Sequence, residues 1–242
     1  MPFKKFKKVR EIIFHNRLTN YSDFRLKEFV KMVSKEVKNN QSILDAGAGE
    51  CQYKPYFKHA NYVSQDLGIG DVSWDFSDVD IKSEIYDIPV KDNSFDNILC
   101  VEVMEHLKYP NRAFKEFSRI LKPGGKLFIV CPLTWAEHQT PYDYFRYTRY
   151  ALKMLADDSG FKTKKIEPMG GRFLVLAQII YETFNLSLSS FFRRKYLKYI
   201  GYIYGISFFP IIFVLIFCLY FLDKTDKSKH LTMQYECIFI RR

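Results

Sequence analysis

Residues 42–49, Ser-Ile-Leu-Asp-Ala-Gly-Ala-Gly, constrain the fold more than any other stretch of the chain. A short apolar run with one acid inside it leads straight into a Gly-x-Gly turn. Apolar runs of this length read as buried strands. The glycines that follow permit backbone dihedrals that other residues resist. Flanking segments repeat the theme. "SDFRLKEFVKMVSKEVK" starts at a Ser/Asp cap at 22–23 and sets apolar residues at 26, 29, 30, 33 and 37, a helical period. "NYVSQDL" (61–67), "SFDNILC" (94–100) and "GKLFIVCP" (125–132) read as strands. Between the last two, Pro110 opens a helix with Phe114, Phe117, Ile120 and Leu121 on one face, and Lys122-Pro-Gly-Gly closes it. "TRYALKMLADDSGF" reads as a helix capped by Thr148 and stopped at Gly160, and "FKTKKIEPM" as a strand. Short strands alternating with helices make an α/β chain, a parallel sheet with helices on both faces. Ligands of such sheets bind beyond the carboxyl ends of the strands, where this Gly-x-Gly lies.

The turn discriminates between ligands. A dinucleotide fingerprint requires Gly-x-Gly-x-x-Gly, and Gln52 occupies the last position here. A pyrophosphate also gains nothing from Asp45, which would repel it. A cationic ligand would welcome that acid. Asp45-Ala-Gly47-Ala-Gly49 resembles motif I of the class I S-adenosylmethionine-dependent methyltransferases, of the type 11-like kind. Further matches follow in order. Asp66 ends the second strand. "SEIYDIPVKDNSFDNILCVEVMEHL" is similar to the family's third and fourth strand region, and "RILKPGGKLFIVCP" to its fifth strand and preceding turn. The resemblance covers about residues 40–170. It implies a Rossmann-like, seven-stranded, mostly parallel sheet, with "MQYECIFIRR" (233–242) as the last strand, beside 161–167. It implies S-adenosylmethionine as cofactor. Gly47 and Gly49 would lie along its methionyl part, Asp45 near its amino group, Asp66 on the ribose hydroxyls, and Glu84 with Ile85 at the adenine. The family often has a further glycine where Cys51 stands, so this chain is expected to tolerate the cysteine with a shifted backbone.

On the acceptor side, a hydroxyl must lose its proton, a task that suits histidine. His106 follows the fourth strand. His138 follows the fifth, within "EHQTPYDYFRYT". Polar aromatics beside an acid and a base suit carbohydrate and phenol sites. His-x-x-Pro-Tyr-Asp-Tyr-x-Arg-Tyr-Thr also resembles a stretch in bacterial methyltransferases of surface-polysaccharide and glycolipid assembly. His138 and His106 are therefore the catalytic candidates, and Tyr142, Asp143 and Arg146 the substrate-binding ones; a hydrogen-bonded structural loop is the competing reading. Glu102, Glu105 and His106 are close enough in sequence to suggest a metal site. A solvated helix face is the favoured account of them, and no metal is expected.

The last third differs from the rest. "YIGYIYGISFFPIIFVLIFCLYFL" (199–222) contains no charge and is long enough to span a bilayer. If residues 233–242 pair in the sheet, both ends of the insertion return to one side, which forbids a single crossing. A two-helix hairpin, a re-entrant segment or an interfacial anchor remains, with a dimer interface or a lid as the alternative. Pro210 is expected to break the run, and Gly201 and Gly205 to allow close helix contact. Net charge is +10, with clusters at "MPFKKFKKVR" and "RRKYLK" (193–198). Without a nucleic-acid motif, this favours an anionic membrane surface over nucleic acid. Five scattered cysteines, without a Cys-x-x-Cys pair, argue against disulfides or zinc and fit a reducing compartment. "EIIFHNRLTN" is no apolar signal core, so no secretory signal is expected.

The expected organisation is a basic helical segment (1–40), a cofactor-binding core (41–169), a membrane-associated apolar insertion (170–232) and the final core strand (233–242). The expected function is O-methylation of a lipid-linked or polysaccharide-precursor sugar on the cytoplasmic side of a membrane. Methylation of a lipid-soluble quinone precursor is the alternative enzyme reading. A non-catalytic, cofactor-binding membrane scaffold is the alternative of another class.

Overall fold

The computed structural model describes residues 20–71 and 73–242. Residues 1–19 of the expected basic segment lie outside the described residues. The chain divides into two compact units.

The first unit comprises Leu26–Pro168 and Gln234–Arg242. It is built on one seven-stranded sheet. The strands are β1 (Ser42–Ala46), β2 (Asn61–Asp66), β3 (Ile81–Lys82), β4 (Phe95–Val101), β5 (Leu121–Pro132), β6 (Phe161–Met169) and β7 (Gln234–Arg241). Their order is β3-β2-β1-β4-β5-β7-β6. β1, β2, β3, β4 and β5 pair in parallel, and β7 runs antiparallel to β5 from Lys126↔Ile240 to Pro132↔Gln234. The α/β, Rossmann-like sheet expected from the sequence is the one observed.

The central strands show why this stretch of sequence reads as continuous apolar runs. Ile43, Leu44, Ile98, Leu99, Cys100, Leu127, Phe128, Ile129 and Val130 are all fully buried. A parallel sheet covered on both faces leaves neither side chain of an alternating pair in water. Helix α1 (Tyr21–Glu36) contributes Phe29, Val30 and Val33 to this core, and α2 (Pro110–Ile120) contributes Ala113, Phe114, Phe117 and Ile120. α3 (Arg149–Asp157) starts as expected, with the Thr148 hydroxyl accepting from the Ala151 amide at 3.2 Å. Lys122-Pro-Gly-Gly does not form a separate helix stop. α2 ends at Ile120, and these residues form the irregular first part of β5, where the register against β4 shifts.

The second unit contains Met169–Met233 and residues 20–25. It holds two long helices, α4 (Arg172–Arg193) and α5 (Lys198–Leu222). Two acids from the turn after α5 cap the start of α4. Asp223 accepts from the Gly171 and Leu174 amides at 3.0 and 3.2 Å, and Asp226 accepts from the Arg172 amide at 3.0 Å. They satisfy amides that a helix start leaves without intrahelical partners. The helices meet at glycines. A Cβ at Gly201 would stand 2.8 Å from the Phe191 Cβ, and one at Gly205 3.3 Å from Leu188. Phe184 and Tyr204 stack across the pair at 5.5 Å. Pro210 does not break α5, contrary to expectation; the helix runs through it to Leu222. Proline removes one i→i−4 hydrogen bond, and the other bonds of a 25-residue helix carry it past that gap.

Candidate active site

The turn after β1 is made by positive backbone dihedrals. Gly47 has φ +77°, and a Cβ there would lie 2.4 Å from Val103 Cγ2. The Gly47 and Ala48 amides donate to the Gln65 carbonyl at 2.8 and 3.0 Å, tying the turn to β2. Gly49 has φ +53°, and a Cβ there would meet only Trp74, at 3.9 Å, so this face of the turn is open. Cys51 adopts φ +56° and is buried. That left-handed dihedral explains the glycine preference at this position and shows how cysteine is accommodated. Asp66, at the end of β2, accepts from the Gly49 amide at 2.9 Å through one carboxylate oxygen and from the Gly68 amide at 2.7 Å through the other. It both braces the turn and faces the space beyond it.

That space is a cavity of about 1140 Å³ at the carboxyl ends of β1, β2, β4 and β5. Gly47, Gly49, Asp66, Glu84 and Ile85 line it, as do His106, His138 and Tyr142. Asp45 does not. It is buried behind the turn and accepts from the Tyr62 hydroxyl at 2.6 Å. Burial pushes its carboxyl up to about 7, against the opposing hydrogen bond. It supports the strand beneath the glycines and makes no direct contribution to the cavity wall.

Asp143 and Arg146 also lie off the cavity wall. They form a bidentate ion pair at 2.6 and 2.8 Å. This pair, with Arg146's bond first, holds the Asp143 carboxyl well below the ordinary carboxylate range. Asp143 accepts from the His138 amide at 2.9 Å, and Arg146 donates to the Ala136 and Trp135 carbonyls at 3.0 and 3.3 Å. An acid and a base three residues apart satisfy each other and staple the loop, the arrangement that the competing reading of a hydrogen-bonded structural loop expects.

The stapled loop clamps a short turn at Met104–His106. The Tyr144 amide donates to the Glu105 carbonyl at 2.8 Å, and the Tyr147 hydroxyl to the Met104 carbonyl at 2.8 Å. His106 Nδ1 sits 2.8 Å from the Tyr142 carbonyl, and His138 Nδ1 sits 3.1 Å from the Ala136 carbonyl. A carbonyl only accepts, so each Nδ1 carries a proton, and the tautomer this selects has its lone pair on Nε2. The rings stand edge to face, 4.7 Å apart. Burial lowers the His106 pKa.

Glu105 departs most from expectation. Placed by the sequence on a solvated helix face, it is 1% exposed. Burial pushes its carboxyl up to about 8. Its Oε2 and the Nε2 of His106 are buried without a hydrogen-bond partner among the described residues. Glu105, His106 and His138 each bring one ligand atom within 4.8 Å of the others. Glu102, the other acid of that stretch, is instead exposed and pairs with Gln234 of β7. Tyr144, within the stretch that the sequence singles out for its polar aromatics, also lines the cavity, and Trp74, Trp135 and Gln234 line it without a sequence signal. The two tryptophans lie on loops, and Gln234 enters from a strand more than a hundred residues from Glu102.

Comparison with known proteins agrees with this geometry. Residues 44–129 match the family described as "Methyltransferase domain" (Methyltransf_11). An uncharacterized protein of Methanocaldococcus jannaschii is 32% identical over 116 residues, 47% of this chain and 51% of that protein. The demethylmenaquinone methyltransferase of Paenarthrobacter aurescens is 29% identical over 134 residues, 50% of this chain and 49% of that protein. The chain thus spans about half the length of these curated relatives. Among solved structures, the 1,6-didemethyltoxoflavin-N1-methyltransferase of Burkholderia thailandensis shares the fold with a TM-score of 0.52 and 11% identity, covering 100% of this chain and 90% of that one. Family match and fold agree on a methyltransferase domain at residues 44–129, set in a seven-stranded, mostly parallel sheet.

Proposed function

We propose that the protein methylates a hydroxyl of a lipid-linked or polysaccharide-precursor sugar at the cytoplasmic surface of a membrane, using S-adenosylmethionine. One observation carries the reading: a single cavity joins the glycine turn and Asp66 to a wall of histidines and polar aromatics. When bound, S-adenosylmethionine supplies a methyl group on a sulfonium. The open face of Gly49 lets the backbone approach its amino-acid end, Asp66 offers two oxygens to the ribose diol, and Glu84 with Ile85 edges the adenine. The domain's main task is alignment of donor and acceptor. The Nε2 lone pair of His138 or His106 would take the proton that the acceptor hydroxyl loses on methylation. Tyr142, Tyr144 and Trp135 supply rings and hydroxyls of the kind that hold sugars.

Membrane association is supported by α5. Its most apolar window is only 17% buried, and Tyr199, Ile203 and Ile206 are 78%, 67% and 68% exposed. The segment leaves the sheet after β6 and returns as β7, which pairs with β5. Its two ends therefore share one side of the membrane, and the paired α4 and α5 enter as a hairpin or lie in the interface. Exposed Arg193 and Arg194 at the tip of α4 suit anionic headgroups.

A quinone precursor is the second reading, favoured by the names of relatives such as the Paenarthrobacter aurescens protein. The test supplies methyl-labelled S-adenosylmethionine and bacterial membrane lipids to the detergent-solubilised protein. Label in lipid-linked saccharide supports the proposal, and label in the quinone fraction replaces it with the second reading. Saccharide and quinone both left unlabelled, with S-adenosylhomocysteine still bound, would make the protein a cofactor-binding scaffold.

A further inference from the structure

We propose that Glu105, His106 and His138 form a divalent-cation site in the wall of the cavity, contrary to the expectation of a metal-free protein. Three observations converge on it. One ligand atom from each residue falls within 4.8 Å of the others. Both imidazoles have Nδ1 held by a backbone carbonyl, at 2.8 and 3.1 Å, which fixes the tautomer that leaves Nε2 as a ligand. Metal-binding histidines characteristically make this outer bond. The third observation is a deficit: Glu105 is 1% exposed, and its Oε2, like His106 Nε2, is buried without a hydrogen-bond partner among the described residues.

Buried polar atoms are almost always satisfied, and an unpaired buried carboxylate is costly. A cation between these three groups satisfies the carboxylate and the imidazole at once. Donors around one ion at about 2.0–2.2 Å stand roughly 3–4 Å apart. The widest gap in the triad therefore needs to close by about 1–2 Å. Two imidazoles and one carboxylate suit zinc, or another divalent first-row metal, better than magnesium or calcium. The ligand set leaves coordination positions open, and all three residues line the cavity. Resting on the methyl-transfer reading, those positions would receive the acceptor oxygen. The cation would then lower the hydroxyl's pKa, so that its proton leaves to solvent water, and the histidines would hold the metal instead of taking the proton.

The outer pairs match this assignment. Asp143, beside the ring of His138 at 3.4 Å, is itself locked to Arg146. The same staple accepts from the His138 amide at 2.9 Å and so ties the backbone of His138 to the loop.

The test uses Co²⁺ as a spectroscopic stand-in for zinc, added to the full-length, chelator-treated protein in detergent. The expected result is saturation at one equivalent with visible d–d absorption. Glu105→Gln and His138→Ala are expected to lose that absorption and to bind Co²⁺ at least a hundredfold more weakly. S-adenosylhomocysteine is titrated into the same samples. His138→Ala, on a surface loop, is expected to retain that binding and the wild-type circular dichroism, which shows that it folds. Absence of Co²⁺ binding by the wild-type protein overturns the site, as does unchanged absorption in the two variants. Cobalt binding without S-adenosylhomocysteine binding would sink the methyltransferase reading and leave the metal site standing.

Discussion

Helices α2 and α5 make opposite use of apolar side chains. α2 has 11 residues and buries Ala113, Phe114, Phe117 and Ile120 completely, presenting polar residues to water. α5 has 25 residues, nearly all apolar, yet only Gly201, Gly205, Ile216 and Leu219 are buried. In the first, hydrophobicity is a stripe that matches a sheet. In the second it runs round the helix, and the partner helix covers one side only. A helix apolar all round requires an apolar environment on every side. The difference shows that burial depends on what the fold offers each face, and it is the observation behind the proposal that the second unit meets a membrane.

The largest effect belongs to the sheet unit. Phe114 packs edge to face on Phe161 and Phe239. Phe114→Ala is expected to destabilise the protein by about 3–5 kcal/mol in chemical denaturation. A loss below about 1 kcal/mol would remove the distinction between the two helices.

Asp45 gives the next effect. Its carboxyl is near 7 in the fold and about 3.9 when unfolded. The folded state keeps the proton over that interval, so this group's contribution to stability is greatest below pH 4 and is lost as pH rises to 7. Asp45→Asn removes that slope. Its stability relative to wild type should rise between pH 5 and pH 8 by the equivalent of about 3 kcal/mol. Parallel pH profiles would show that Asp45 is ionised in the fold.

The membrane assignment predicts a smaller change of a different kind. Ile203 and Ile211 are both more than 60% exposed. Ile203→Asp with Ile211→Asp should reduce flotation with phosphatidylglycerol-containing vesicles more than tenfold, from the loss of about 1–2 kcal/mol per side chain. S-adenosylhomocysteine affinity should not change. Undiminished flotation would leave α5 as a surface between copies of the chain.

The smallest effect completes the contrast. Phe217, 45% exposed on α5, is as large as Phe114. In detergent, Phe217→Ala should alter stability by less than about 0.5 kcal/mol, as at surface positions. A loss comparable with that of Phe114→Ala would mean that α5 is a core helix.

Much of the sheet could be read from residues alone, because its information is local. Strand runs such as 125–132, the cap at Thr148 and the turn at 47–49 each declare themselves within ten residues. The site was readable where it depends on the same local chemistry, as at Asp66 and Gly49. It was not readable where neighbours distant in sequence decide a side chain's fate. Glu105 looks like a solvated acid until the loop after β5 closes over its turn. Asp143 and Arg146 look like substrate ligands until their mutual ion pair is seen. Asp45 sits in the right motif, but the Tyr62 hydroxyl of the adjacent strand claims its carboxylate. Pro210 looks like a break, and the length of α5 overrides it.

The central claim is that the glycine turn and Asp66 hold S-adenosylmethionine. The most direct test is calorimetric titration of the detergent-solubilised protein with S-adenosylhomocysteine, wild type beside Asp66→Ala. Asp66 supplies both the brace of the Gly49 and Gly68 amides and the proposed ribose contact. The account predicts micromolar binding by wild type and at least a hundredfold loss in the variant. Failure of the folded wild type to bind, or equal affinity in the two proteins, would contradict it.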